Sequence, residues 1–254
     1  MKYPDLLIFA DHRLVAINKP SGLSLSTSRK DPSTAVARIL ATIPSTDRDA
    51  WGLEAEALWL VHRLDVGTSG LVLLARDAEH HRDLVRALVE RRVEKTYLAL
   101  VWGSPRPPAG AYTWPLAPDT RDRRRMQVDA SGKPATSAYR VLASAPHVSL
   151  VELGPRTGRT HQLRVHLAHA GHPVVGDDLY GGPRQRGVRN LSLRRHLSPD
   201  HTFLHAWRLA LPALGTRPPL VLTAPLPSDF AAALAAIGGQ VAAAAEARGL
   251  LHAG

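Results

Sequence analysis

The chain has 254 residues, of which 44% are apolar and 21% charged, a balance that allows a substantial core and excludes wholesale disorder, a collagen repeat or a coiled-coil rod. The absence of cysteine removes disulfides, thiolate metal sites, iron–sulfur clusters and a cysteine nucleophile, and fits a reducing compartment such as the cytoplasm. Lys and Arg number 32 against 22 Asp and Glu, a formal charge of +10, so a polyanion is the first partner to consider, nucleic acid ahead of an anionic membrane surface.

The opening MKYPDLLIFADH has one basic residue, then Pro4 and Asp5, and its apolar run from Leu6 to Ala10 is too short for the core of an export signal. Charged residues and prolines interrupt every apolar stretch before it reaches membrane-spanning length, so no membrane association is expected. Short runs rich in Val, Ile and Leu predict strands at 6–10, 13–17, 58–61, 71–75, 97–102, 137–143, 148–153 and 219–223. Lys19-Pro20-Ser21-Gly22 reads as a turn closing the second run. From Asp77 to Arg92 the period becomes helical: Asp77 can cap, and Leu84, Val85, Leu88 and Val89 share one face, with Arg82, Arg86 and Glu90 opposite. The stretch from 103 to 136, with Pro105, Pro107, Pro108, an arginine cluster and Gly132-Lys133-Pro134, reads as a long loop. The Ala-rich tail from Phe230 to Arg248 predicts a docking helix interrupted at Gly238-Gly239. Helices do not alternate regularly with strands, so the expected class is α+β, a mixed and mainly antiparallel sheet with flanking helices. No internal repeat or Gly-Ser linker divides the chain, which favours a single two-lobed domain over 1–254.

Two segments carry polar chemistry. His62-Arg63-Leu64-Asp65-Val66-Gly67-Thr68-Ser69-Gly70 lies between apolar runs, in a loop at a strand end, where sites tend to be built. Asp65 is its lone acid, with Arg63 two residues away. A guanidinium beside a carboxylate favours the ionised form, and an oriented ionised aspartate suits covalent attack or charge stabilisation better than proton donation. A local turn, with Asp65, Thr68 and Ser69 bonding only backbone amides, fits the same residues.

The second segment is Thr157-Gly158-Arg159-Thr160-His161-Gln162-Leu163-Arg164-Val165-His166-Leu167. Leu163, Leu167 and Ala170 form the buried stripe of a short helix, which puts His161, Arg164 and Ala168 on another side and predicts a cation facing away from the core. The opening turn at Gly158, Arg159 and Thr160 offers backbone N–H groups and the positive end of the helix dipole to a phosphate or a carboxylate, with Asp65 one candidate. A solvated basic helix face is the alternative.

Taken together, HRLDVGTSG at 62–70 resembles the central motif of pseudouridine synthases. VAINKPSGL at 15–23, EKTYLALVWG at 94–103, GKPATSAYRVL at 132–142, TGRTHQLRVHL at 157–167, GHPVVGDDLYG at 171–181 and LHAWRL at 204–209 resemble, in order, the RluA-like branch of that family. The resemblance covers about 12–226. It implies the two-lobed pseudouridine synthase catalytic fold and isomerisation of uridine in structured RNA, transfer or ribosomal, to its C-glycoside, with no cofactor and no metal. It makes Asp65 the catalytic nucleophile, attacking ribose C1′ or uracil C6, Tyr97 the ring that stacks on the target base, and Arg164 the partner of the aspartate. It also makes Arg63 the cation that enters the space left by the flipped base or holds a neighbouring phosphate, and Leu204 part of the apolar wall of the uracil pocket. His62 and Thr68 of the first motif, with Arg159 and His161 of the second, complete the candidate substrate-binding residues. A base leaving a duplex costs a few kcal/mol, and an aromatic ring such as that of Tyr97 can return about 1 to 3 kcal/mol by stacking. The resemblance begins at about residue 12, so the small basic domain that precedes the catalytic segment in many relatives is not expected here. RNA capture is therefore expected to rest on the arginine-rich segments 118–136 and 184–195. A monomer without a protein partner is the family default.

Two rival readings remain. A metal-dependent nuclease or hydrolase would use His161, His166, His169, His172, Asp177 and Asp178, although no HExxH is present and the two-His spacing of i, i+4 is missing. A non-catalytic basic RNA-binding protein would need only the surface charge, and gives Asp65 no purpose.

Overall fold

A computed structural model of the chain describes residues 6–25, 35–54 and 57–251. The chain divides into two compact units, one of Met1–Lys95 with Ala206–Pro225 and the other of Thr96–His205 with Leu226–Gly254.

The first unit is built on strands β1 (Leu7–Ala10), β2 (Leu14–Lys19), β3 (Trp59–Leu60) and β4 (Ser69–Ala75), with helices α1 (Ala35–Leu40), α2 (Ser45–Trp51) and α3 (Ala78–Val89). The β1–β2 and β2–β4 ladders are antiparallel, Leu14 facing Ala75 and Lys19 facing Gly70, and β3 pairs the far end of β4. All seven residues of β4 are buried, as expected of a strand covered on both faces. Asp77 caps α3 by accepting from the backbone N–H of His80 at 2.8 Å, as the sequence predicts. Leu84 and Ala87 of α3 then join Leu14, Ala16, Leu71 and Leu73 in the core of this unit.

The second unit holds β5 (Glu94–Trp102), β6 (Ala109–Tyr112), β7 (Leu116–Pro118), β8 (Met126–Val128), β9 (Ser137–Ser144) and β10 (Val148–Pro155), followed by helices α4 (Gln162–His169) and α5 (Leu191–His196). β10 lies between β5 and β9, antiparallel to both, and β6 pairs the outer side of β9. The stretch expected to be a loop therefore contains three short strands, β7 and β8 forming their own antiparallel pair. Near its end the chain forms β11 (Leu204–Leu211) and β12 (Leu220–Thr223), an antiparallel pair, then α6 (Ser228–Ile237) and α7 (Gly239–Glu246). The break between the last two helices falls at Gly238, at φ 67°, where the Gly-Gly pair predicts it. The ladders named here are antiparallel and helices flank them, in agreement with the α+β expectation. No helix among the described residues is long and apolar enough to cross a membrane.

Candidate active site

In the first unit, the loop from Val61 to Thr68 connects β3 to β4. The Val61 N–H bonds the Leu73 carbonyl at 3.0 Å, and the Thr68 N–H returns to the Asp65 carbonyl at 3.1 Å, making a turn with Asp65 at its start. Asp65 is half-buried, Arg63 exposed and Thr68 buried, with 2% of its surface accessible. His62 is half-buried, and its Nε2 accepts the backbone N–H of Leu73 at 3.2 Å. Burial pulls the His62 imidazole down to about 4, with the charge of Lys95 adding to the effect, so the ring is neutral at pH 7.

The turn after β2 supports this loop from beneath. Lys19 is fully buried and donates to the carbonyls of Pro20 at 2.8 Å, Leu23 at 3.0 Å and Val66 at 3.2 Å, while the Gly22 N–H also bonds Val66 at 2.8 Å. Burial lowers the Lys19 ammonium to about 7, and the negative charge of Asp65 pulls the other way. Turn propensity at Lys19-Pro20-Ser21-Gly22 does not by itself disclose this role. The signal for a buried cation is a lysine closing the apolar run that begins at Leu14.

Gly70 follows the loop at φ 110°, and a Cβ there would lie 2.6 Å from the backbone nitrogen of Ala206 in β11. Only glycine lets the two strands approach this closely.

In the second unit, Tyr97 on β5 faces Leu153 of β10 and packs against a cluster that includes Leu204, Leu163 and Leu167. Two residues expected to line a base pocket, Tyr97 and Leu204, and the apolar side of α4 thus meet in one cluster. Arg164 departs from its expected position: residues Gln162 to Leu167 are all buried, and Arg164 itself is 8% exposed. The cation does not face away from the core. It is enclosed because Asp177 receives it along one edge, Nε to Oδ2 at 2.7 Å and Nη2 to Oδ1 at 2.9 Å. The neighbouring polar residues of α4 are also partnered: Gln162 donates to Thr136 O at 3.0 Å and Ser137 Oγ at 2.9 Å, and His166 pairs with Ser137 Oγ and Trp114 O, each at 2.9 Å.

His161 opens α4 at φ 54°, its Nδ1 paired with the Tyr180 hydroxyl at 2.8 Å. Arg159 is exposed, and its backbone N–H, expected to be offered to an anion, is taken by Gln162 Oε1 at 3.1 Å. Of the residues in the metal reading, His166 is held by Ser137 and Trp114, His172 by the Trp102 carbonyl at 3.0 Å, and Asp177 by Arg164. Among the described residues no three His, Asp or Glu side chains are grouped to hold one ion.

The RNA pseudouridylate synthase family model matches residues 13–169. The chain is 42% identical over 214 residues to an uncharacterized RNA pseudouridine synthase of Chloroflexus aurantiacus, covering 84% of this chain and 63% of that relative. It is 35% identical over 246 residues to the ribosomal large subunit pseudouridine synthase D of Nitrosomonas europaea, covering 92% and 65%. It thus spans less than two thirds of the length of these two relatives. With the dual-specificity RNA pseudouridine synthase RluA of Escherichia coli it shares 35% identity over 231 residues, 89% of this chain and 94% of that one. The solved structure of human RNA pseudouridylate synthase domain containing 4 superposes with a TM-score of 0.70 at 30% identity, over 91% of this chain and 92% of the human one. The chain belongs to the RNA pseudouridylate synthase family.

Proposed function

We propose that this protein isomerises uridine in structured RNA to pseudouridine. The N1–C1′ glycosidic bond is broken, the uracil turns within the site, and C5 bonds to C1′. The C5 proton then leaves and N1 regains one, so atoms balance with no outside oxidant or reductant. Asp65 is the nucleophile, at ribose C1′ or uracil C6. Tyr97 stacks on the flipped base, Leu204 lines its apolar side, and Arg164 is the guanidinium that supports the catalytic carboxylate. Arg63, exposed and two residues before Asp65, is suited to a phosphate or to the space the base vacates. His62 and Thr68 of the loop, with Arg159 and His161 at the start of α4, take part in binding the RNA substrate.

The observation that carries the reading is the Asp65 loop: a half-buried aspartate in HRLDVGTSG, its turn tied through Val66 to a buried lysine, in a chain of this family. The substrate is transfer or ribosomal RNA, in keeping with relatives named for the large ribosomal subunit and for dual specificity. The protein acts as a cytoplasmic monomer, and the net charge of +10 supplies RNA capture. Pseudouridine mapping of total RNA from cells with and without the gene tests this reading. A position modified only when the gene is present supports it, and identical maps contradict it.

A further inference from the structure

The segment after α4 is organised around one carboxylate. Asp177 is 2% exposed, and besides the two bonds from Arg164 it accepts the backbone N–H groups of Leu179 and Tyr180 at Oδ1, both at 3.1 Å. The backbone on either side is shaped to hold it there. Gly176 sits at φ 77°, where a Cβ would run into the His201 carbonyl, and the Gly181 N–H closes back onto the Asp177 carbonyl at 2.6 Å. Tyr180, delivered by the same turn, lays its ring 5.1 Å from the Arg164 guanidinium carbon. Its hydroxyl accepts from the Met126 N–H at 2.8 Å and meets His161 Nδ1 at the same distance. Arg164 is therefore gripped along its Nε–Nη2 edge by a carboxylate and on one face by a ring.

Neutralising a buried guanidinium needs only a nearby negative charge. A two-point grip does more, because it fixes the rotation of the planar fork and so the direction in which the Nη1 side points. We propose that Asp177 is a positioning residue for catalysis, holding Arg164 in the orientation that serves the catalytic carboxylate. Asp177 acts through Arg164 and does not touch the substrate. This inference rests on the role given to Arg164 under the proposed function. In the metal reading the same aspartate would be a ligand, whereas its oxygens here are taken up by one guanidinium and two backbone amides.

The test is a double-mutant cycle on conversion of uridine in RNA from cells lacking the gene, with RNA affinity and thermal midpoint measured on each variant. Asp177→Asn keeps the shape and removes the charge. It is expected to lower kcat about 10- to 100-fold, by analogy with the loss of a hydrogen-bond partner that orients a metal ligand, with RNA Kd within about twofold of wild type. Arg164→Gln is expected to be slow as well, and the double variant no slower than Arg164→Gln alone, because a residue that acts through Arg164 has nothing to orient once Arg164 is gone. A merely structural role would slow both backgrounds by the same factor, and that result would overturn the proposal. Should Asp177→Asn fail to fold, Asp177→Glu keeps the charge and displaces the guanidinium by about one methylene. A folded Asp177→Glu with lowered kcat supports the inference, and one with wild-type kcat contradicts it. A fast Asp177→Asn beside a slow Arg164→Gln sinks this inference alone, whereas a fast Arg164→Gln removes the role assigned to Arg164 and this inference with it.

Discussion

The ammonium of Lys19 donates to the carbonyl of Val66, the residue directly after Asp65, at 3.2 Å. A strand end from the start of the chain thus braces the turn that carries the proposed nucleophile. Two further carbonyls, of Pro20 and Leu23, converge on the same nitrogen. Lys19→Met fills the volume and leaves three acceptors without their donor. A loss of about 1 to 3 kcal/mol is expected in urea denaturation, with a fall in kcat because the Asp65 turn is no longer held.

The same lysine gives a pH signature whose sign is fixed. Its folded value of about 7 lies below the ordinary 10.5, so between these limits the unfolded chain binds the extra proton and stability rises with pH. The stability difference between wild type and Lys19→Met should widen from pH 7 to pH 9, by at most about 1.4 kcal/mol per pH unit. A constant difference over that range would contradict the burial of this charge.

His62 sets the acid side. Its neutral ring accepts the Leu73 N–H, and its folded value of about 4 lies below the ordinary 6.5. Stability contributed by the neutral ring is complete above pH 6.5 and is lost as pH falls towards 4. The fall in thermal midpoint between about pH 7 and about pH 5 should be smaller in His62→Gln than in wild type, and equal slopes would contradict this. His166, which burial also shifts downward, remains in both proteins and cancels in the comparison.

Gly70→Ala places a methyl group against the Ala206 backbone at a positive φ. Overpacking and backbone strain together are expected to cost about 3 kcal/mol or more, read as a lowered denaturation midpoint or as insoluble protein. An unchanged midpoint would mean that β4 and β11 can separate freely at this point.

Much of this is legible in the sequence because burial there follows periodicity. The runs at 13–17, 71–75, 97–102 and 148–153 form strands, and the Asp77 cap and the packing of Leu84, Val85 and Leu88 of α3 appear as predicted, whereas Val89 is exposed and Ala87 is buried instead. Periodicity misleads where polar side chains are buried with partners supplied from distant parts of the chain. The helical period of α4 places Arg164 outward, yet Gln162, Arg164 and His166 are all enclosed, each satisfied by a residue outside the helix. β11 is not among the expected strands for a related reason: Leu204-His205-Ala206-Trp207-Arg208 has no clean alternation, and His205 is fully buried. Strands β6, β7 and β8 lie in a stretch whose prolines and arginines hide runs of three or four residues.

The hairpin of β7 and β8 carries exposed Arg121 and Arg123 between its strands, while Arg124 is paired with Asp122 at 2.7 Å. If RNA capture neutralises about six phosphates, log affinity should fall with log salt at a slope near about −5. Replacing Arg121 and Arg123 with Ala should weaken binding across RNA sequences and make the slope shallower by about one for each phosphate that is no longer neutralised. An unchanged slope would move the RNA-binding surface elsewhere.

The central claim is that Asp65 bonds covalently to the target nucleoside. The most direct measurement compares Asp65→Asn with wild type for RNA affinity and for pseudouridine formed at the mapped position. The variant is expected to bind RNA within about twofold of wild type, since the RNA is held chiefly through its phosphates, and to form no pseudouridine. Turnover by Asp65→Asn at a substantial fraction of the wild-type rate would contradict the nucleophile assignment.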